Sequence, residues 1–145
     1  MIPSPRSACP INRSLEMLGD RWSLLILRDI ALHDRRSFRA LLVGNQERIS
    51  GPVLSRRLSD LVAAGFLTKT GVVRGKQGRY SLTELGLATI PLLVELGHLG
   101  ALIDPSTRDH TPELGDDPDQ VCRRLDALFR DHLDGATPAT SEPVT

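Results

Sequence analysis

Behind Pro10, the apolar residues Ile11, Leu15 and Leu18 recur at i, i+4 and i+7, the spacing of one helix face, and Gly19 ends that run. Asp20 then stands ready to cap "RWSLLILRDIAL", an almost wholly apolar second helix that belongs in a core. "HDRR" reads as a polar turn, and Ser37 caps a short third helix, "FRALLV", closed by Gly44. After the turn "GNQER", Ser50 caps a fourth helix, with Pro52 tolerated in its first turn and Gly65 as its stop. Leu54, Leu58, Leu61 and Val62 form its buried stripe; Ser55, Arg56, Ser59 and Asp60 face away, with Arg57 at the boundary.

A short helix, a turn and a capped second helix make a helix-turn-helix pattern. The pattern changes period directly afterwards. "FLTKTGVV" and "RYSLT" are β-prone and flank the glycine-bounded turn "RGKQG", which predicts a hairpin whose tip carries Arg74, Lys76 and Arg79. The order predicts a mostly α chain with a small β-hairpin: a winged helix-turn-helix with additional dimerisation helices. From Thr83 a leucine-rich helix follows, in which Pro91 is expected to kink or break the run. Leu92, Leu96, Leu99 and Ile103 continue an apolar stripe that a small winged domain cannot cover, so a second copy of the chain is expected against it. Residues 105–117 read as a loop, and 117–133 as an amphipathic helix with Val121, Leu125, Leu128 and Phe129 on one face. The resulting division is a disordered start at 1–8, a winged-helix and dimerisation domain at 9–104, an acidic extension at 105–134 and a disordered tail at 135–145.

Charge sharpens this picture. The chain is formally neutral, yet residues 1–100 carry 14 Lys/Arg against 8 Asp/Glu and the remainder 4 against 10. Within 35–79 there are 10 basic and 2 acidic residues, a segregated cation of the kind that binds polyanions. An α-helix fits the major groove of B-DNA, whose base edges display a distinct donor and acceptor pattern. The expected DNA-contacting set is therefore Arg36 and Arg39, the helix start Ser50, Gly51, Pro52 and Val53, the polar side Ser55, Arg56 and Arg57, and the hairpin cations Arg74, Lys76 and Arg79. Arginines can fork onto guanine, serines can reach phosphates or bases, and Val53 can meet a thymine methyl. The competing use of the same surface is docking of an acidic protein partner, which would lack sequence-selective duplex binding.

Other chemistries find little support. Cys9 and Cys122 lack metal-ligand spacing, and His33, His98, His110 and His132 are scattered and read as surface or partly buried. No phosphate loop, paired carboxylates or Ser-His-Asp arrangement is present, so neither a cofactor nor a metal is expected, and the chain reads as no enzyme. A thiol enzyme built on Cys9 would need a general base that the sequence does not reveal. No apolar run approaches membrane-spanning length and no secretory signal opens the chain, which predicts a cytoplasmic protein and no membrane partner.

The residues Cys9-Pro10, "LGDRWSLLIL" (18–27), "SFRAL" (37–41), "ISGPVLSRRLSDLVAAGFL" (49–67) and "RYSLTELG" (79–86), followed by Pro91, resemble the HxlR-type winged helix-turn-helix transcriptional regulators, relatives of the MarR regulators. That resemblance, over about 9–104, implies a homodimer whose recognition helices read two half-sites of a near-palindromic operator. It also implies a candidate redox sensor at Cys9, since a thiol at a helix N-terminus lies in the positive dipole and favours the thiolate. A small-molecule effector in a leucine-lined dimer pocket is the alternative input. The turn before Ser50 is one residue longer than the family pattern, the hairpin turn is shorter, and Leu99 stands where the family often has Trp.

Overall fold

The computed structural model describes residues 3–71, 78–110 and 118–134. The hairpin tip with Arg74 and Lys76, the segment 111–117 and the tail expected at 135–145 lie outside the described residues.

Helix α1 (Pro10–Leu18) places Pro10 in the first turn, where a missing N–H costs nothing. Helix α2 (Ser23–His33) starts two residues later than expected. Asp20 still organises its start, accepting the N–H groups of Trp22 at 2.8 Å and Ser23 at 2.9 Å. Helix α3 (Phe38–Gly44) is capped by Ser37, whose Oγ accepts the Ala40 N–H at 3.1 Å. Helix α4 (Gly51–Ala63) follows Ser50 as its N-cap residue, but the Ser50 hydroxyl makes no capping bond, contrary to expectation. Its C-terminus is a Schellman motif: Gly65, at φ +86°, donates to Val62 O at 3.1 Å and Phe66 donates to Leu61 O at 2.9 Å. Glycine is the residue that reaches this left-handed conformation without strain.

Strands β1 (Leu67–Thr70) and β2 (Arg79–Leu82) pair antiparallel, with Leu67 opposite Leu82 and Thr70 opposite Arg79. The leucine-rich run is two helices, α5 (Glu84–Leu87) and α6 (Ile90–Ile103). Pro91 sits in the first turn of α6 rather than kinking a continuous helix; the break precedes it, where the Thr89 hydroxyl donates to Gly86 O at 2.6 Å. Gly86 allows a close crossing, since a Cβ there would lie 2.2 Å from the Phe66 carbonyl oxygen. Pro105–His110 form a 3₁₀ turn where a plain loop was expected, and helix α7 (Pro118–Asp134) packs back against β2 and α5.

The core joins Ile26, Leu27 and Ile30 of α2 to Leu41, Leu54, Leu58, Leu61, Leu67, Leu82, Leu87 and Ile90, all essentially buried. Each such side chain contributes about 1.5–3 kcal/mol through removal from water. Val62 is not part of the stripe: it lies on the outer side of α4, 37% exposed, because the step from Leu61 rotates it off the Leu54–Leu58–Leu61 line. Phe129 is likewise exposed, while Val121, Leu125, Leu128 and Leu133 pack on the core and His132 is buried among them. The segment Glu84–Ile103 does reach the length and mean hydropathy, 1.6, of a membrane-crossing helix, correcting the expectation that no run does so. Here it is divided at Thr89 and buries Gly86, Leu87, Ile90, Leu93 and Ala101 in the domain core.

Candidate nucleic-acid interface

The angle between α3 and α4 is set by a buried ionic scaffold under their connecting turn. Asp29, 1% exposed inside apolar α2, has one carboxylate oxygen accepting from Arg28 Nε at 2.9 Å and Nη2 at 2.8 Å. Arg35 Nη1 lies 3.4 Å from that same oxygen, and the other oxygen accepts from Asn45 Nδ2 at 3.3 Å. Asn45, also buried, accepts the Ile49 N–H at 3.0 Å through its own side-chain oxygen. Arg28 extends a two-pronged contact to the Glu47 carboxylate, both bonds at 2.8 Å. Hydrogen bonding to Glu47 holds Arg28 firmly charged, and the same contact holds the Glu47 carboxyl below its ordinary value. Residues 45–49 are thereby tied to α2, and Arg48 adopts φ +61° within them. This turn delivers the start of α4 in a fixed pose.

That start is open. Ser50 and Pro52 are exposed, the Ser50 hydroxyl is unengaged in capping, and nothing lies within 4 Å of the position a Cβ would take on Gly51. The unpaired N–H groups of a helix's first turn and its positive dipole suit a phosphate oxygen. Along the outer face Ser55, Arg56 and Ser59 are exposed, and Arg56 makes no ion pair among the described residues. Val53 is half-buried and packs partly on the core, so it offers only part of its surface outward. Arg39 on α3 and Arg79 at the start of β2 are exposed. Lys69 covers the Tyr80 ring at 5.5 Å, placing a further cation on the hairpin.

Arg57 is held differently from Arg56. Its Nη1 donates to Asp60 at 3.3 Å, and its buried Nε lies 3.6 Å from Asp20 without a hydrogen bond. The Arg57 guanidinium therefore links α4 to the α1–α2 junction, while Asp20 keeps a lowered carboxyl pKa despite its partial burial, through hydrogen bonds from Ser23 and Trp22.

Arg36 must be withdrawn from the expected DNA-facing set. It is 6% exposed, its Nε donates to Tyr80 O at 3.0 Å, Nη2 bonds Ser81 Oγ, and Nη1 donates to Asp131 at 3.2 Å. Nε and Nη2 are committed to β2 and Nη1 to Asp131 at the rim, so the guanidinium is spent on contacts within the chain. His132, read from sequence as surface or partly buried, is 1% exposed and accepts the Leu82 N–H through Nδ1 at 3.0 Å. A helical signal was available for it: Val121, Leu125, Leu128 and His132 are spaced i, i+4, i+7 and i+11. Asp29 gave a signal too, as an acid in the middle of an apolar helix that must find cations.

Cys9 and Cys122 are both exposed and unpaired as disulfides. Arg13, beside Cys9 in sequence, bonds Glu16 at 2.9 Å. Among the described residues no His, Cys, Asp and Glu cluster has metal-site geometry.

Residues 17–106 match the family model described as HxlR-like helix-turn-helix. The chain belongs to the HxlR-like helix-turn-helix family. HxlR-like proteins are transcription regulators with a helix-turn-helix DNA-binding fold, a class distinct from enzymes. The chain is 36% identical over 91 residues to the uncharacterised HTH-type transcriptional regulator Rv3095 of Mycobacterium tuberculosis, a match covering 60% of this chain and 56% of that protein's length. It is 29% identical over 94 residues to the uncharacterised HTH-type transcriptional regulator sll1512 of Synechocystis, covering 64% and 68%. Among solved structures, PA1607, assigned as a transcription factor, superposes with a TM-score of 0.59 at 33% identity, covering 66% of this chain and 65% of that one. A regulator from Porphyromonas gingivalis W83 assigned to the MarR family superposes with a TM-score of 0.57 at 25% identity, covering 68% and 95%. The HxlR-like match ends at residue 106, so α7 lies beyond it.

Proposed function

We propose that this HxlR-like protein is a cytoplasmic, homodimeric repressor that inserts the N-terminal half of α4 into the major groove at each half-site of a near-palindromic operator. The observation that carries the reading is the open start of α4, with exposed Ser50, Pro52, Ser55 and unpaired Arg56, on a turn fixed by the Asp29 scaffold. In this reading Arg56 reads a base edge, Ser50, Gly51 and Ser55 meet the phosphate backbone, and Arg39 and Arg79 bind flanking phosphates. Arg57, itself held by Asp60, orients the recognition helix through Asp20. Arg74 and Lys76, outside the described residues, add two more cations to the proposed contact.

Dimerisation is supported by the apolar residues that the single chain leaves in water: Ile11 and Leu15 of α1 at 72% and 59%, and Leu99, Leu102 and Ile103 of α6 at 52%, 76% and 76%. Apolar surface of this kind on two helices suits burial against a second copy. Between α1 and α5 lies an apolar cleft of about 340 Å³ lined by Met17, Leu18, Phe66, Leu85 and Leu92, where a small apolar effector would act. The exposed Cys9 at the N-cap of α1 is the second input, for an oxidant.

The test is binding of the purified protein to its own upstream intergenic duplex, against scrambled duplex, across a salt series. Selective binding that weakens steeply with salt is expected, because cation–phosphate contacts release counterions. Equal, weak binding to every duplex would overturn the reading in favour of an acidic protein partner.

A further inference from the structure

The outer edge of β2 is where α7 meets the winged domain, and the way that edge is satisfied is chemically specific. On one side β2 pairs with β1. On the other, the Tyr80 N–H donates to Arg36 O at 2.7 Å, Tyr80 O accepts from Arg36 Nε, and the Leu82 N–H has the imidazole of His132 as its acceptor. A buried N–H left unpaired is costly, so the histidine performs a task that a neighbouring strand would otherwise perform. It can do so in one protonation state alone: Nδ1 accepts a hydrogen bond when it carries no proton, and the imidazolium has donors at both nitrogens.

We propose that His132 is a positioning residue that docks the C-terminal helix on the edge of the wing, and that a proton taken up at Nδ1 releases it. The groups around the ring do not offset that proton. From β2 comes Arg79, from the α2–α3 connection Arg36 and Asp34, and from α7 itself Asp131; two cations therefore face two acids. Glu84, the one titratable residue of α5, is exposed. Burial first, and then Arg36, lower the ring's affinity for a proton below that of an ordinary histidine. The sign follows: docking is complete above the ordinary histidine value of about 6.5 and is lost as pH falls below it, by up to tenfold in the docked-to-free ratio per pH unit. Because Leu82 ends the strand whose other end leads into the basic hairpin, release of α7 loosens the wing and weakens its contact with duplex. That last step rests on the proposed DNA binding; the docking itself does not.

The experiment uses the full chain. Hydrogen exchange of the Leu82 amide and of α7, corrected for intrinsic exchange, is followed from pH 7.5 to 5.5 without DNA, with the His132 imidazole titrated in parallel by NMR. Protection at Leu82 and α7 is expected to fall from pH 7.5 to 5.5, by at most about tenfold for uptake of one proton. The ring titration should track that fall, with Nδ1 unprotonated at pH 7.5. In His132→Asn, whose side-chain oxygen keeps an acceptor near Nδ1 and does not titrate, protection should be independent of pH. Constant protection in the wild type, or an equal fall in His132→Asn, would overturn the proposal; if the variant does not fold, the wild-type titration decides alone. Duplex affinity is then compared over the same range. A loss present in the wild type and absent in His132→Asn supports the coupling to the wing. PH-dependent docking without any duplex binding would refute the proposed function while leaving the latch intact.

Discussion

Replacing Arg36 by methionine separates two accounts of this residue, because the apolar stem is kept and the donors are removed. The wild-type guanidinium gives buried bonds to Tyr80 O and Ser81 Oγ and a third to Asp131, which is 58% exposed. A hydrogen bond from a charged donor contributes about 1.5–3 kcal/mol, and the partly exposed ion pair at most about 1. Against this, methionine no longer carries the desolvation cost of a buried cation. The balance is a destabilisation of about 2–4 kcal/mol, or a fall in Tm of about 6–20 °C for a chain of this size. Urea unfolding followed by far-UV circular dichroism and by Trp22 fluorescence measures it directly. A lysine at the same position should fail to restore the loss, since one ammonium cannot span the Tyr80 and Ser81 acceptors. A variant within 0.5 kcal/mol of the wild type (about the scatter of a surface substitution), with duplex affinity reduced, would refute the structural role and return Arg36 to the DNA-facing set.

Acid should act through the scaffold under the α3–α4 turn. Glu47 is held below its ordinary carboxyl value of 4.5 by Arg28, so its stabilisation is full above that pH and disappears as pH falls through its folded-state value. Glu47→Gln should therefore be less stable than the wild type at pH 7, and the gap should narrow as pH falls below 4.5 in denaturant titrations; a gap that stays constant in acid would contradict this linkage. On α6, Leu99→Glu places a charge on the exposed apolar face, and light scattering should report a single chain of 15.9 kDa where the wild type gives twice that mass. A variant that still runs at double mass would move the interface elsewhere. Arg56→Ala is expected to cost about 1–3 kcal/mol of duplex binding and to relax preference at one base pair, with stability unchanged.

Local signals carried most of the fold. Pro10, Ser37, Gly44, Ser50 and Gly65 each mark a boundary that the helices respect, and the change from helical to alternating spacing after Gly65 locates the hairpin. Where a residue's role depends on distant partners, sequence was silent. Arg36 looks like any other member of a basic run until Tyr80, Ser81 and Asp131 arrive from 44, 45 and 95 positions away. Pairing of Asp29 with Asn45, and of Leu82 with His132, has the same long-range origin. Within the candidate interface, exposure of Ser55 and Arg56 followed from helical geometry. The tethering of Arg57 needed the α1–α2 junction, which periodicity cannot place.

The open start of α4 is the surface proposed to meet DNA. Amide chemical shifts of the full chain, recorded while its own upstream duplex is titrated in, test this most directly. The largest perturbations are expected on Ser50–Ser59, with smaller ones at Arg39 and Arg79, and none on the exposed face of α6 at Leu99–Ile103. Perturbations centred on α6 or α7, with Ser50–Ser59 unmoved, would contradict it.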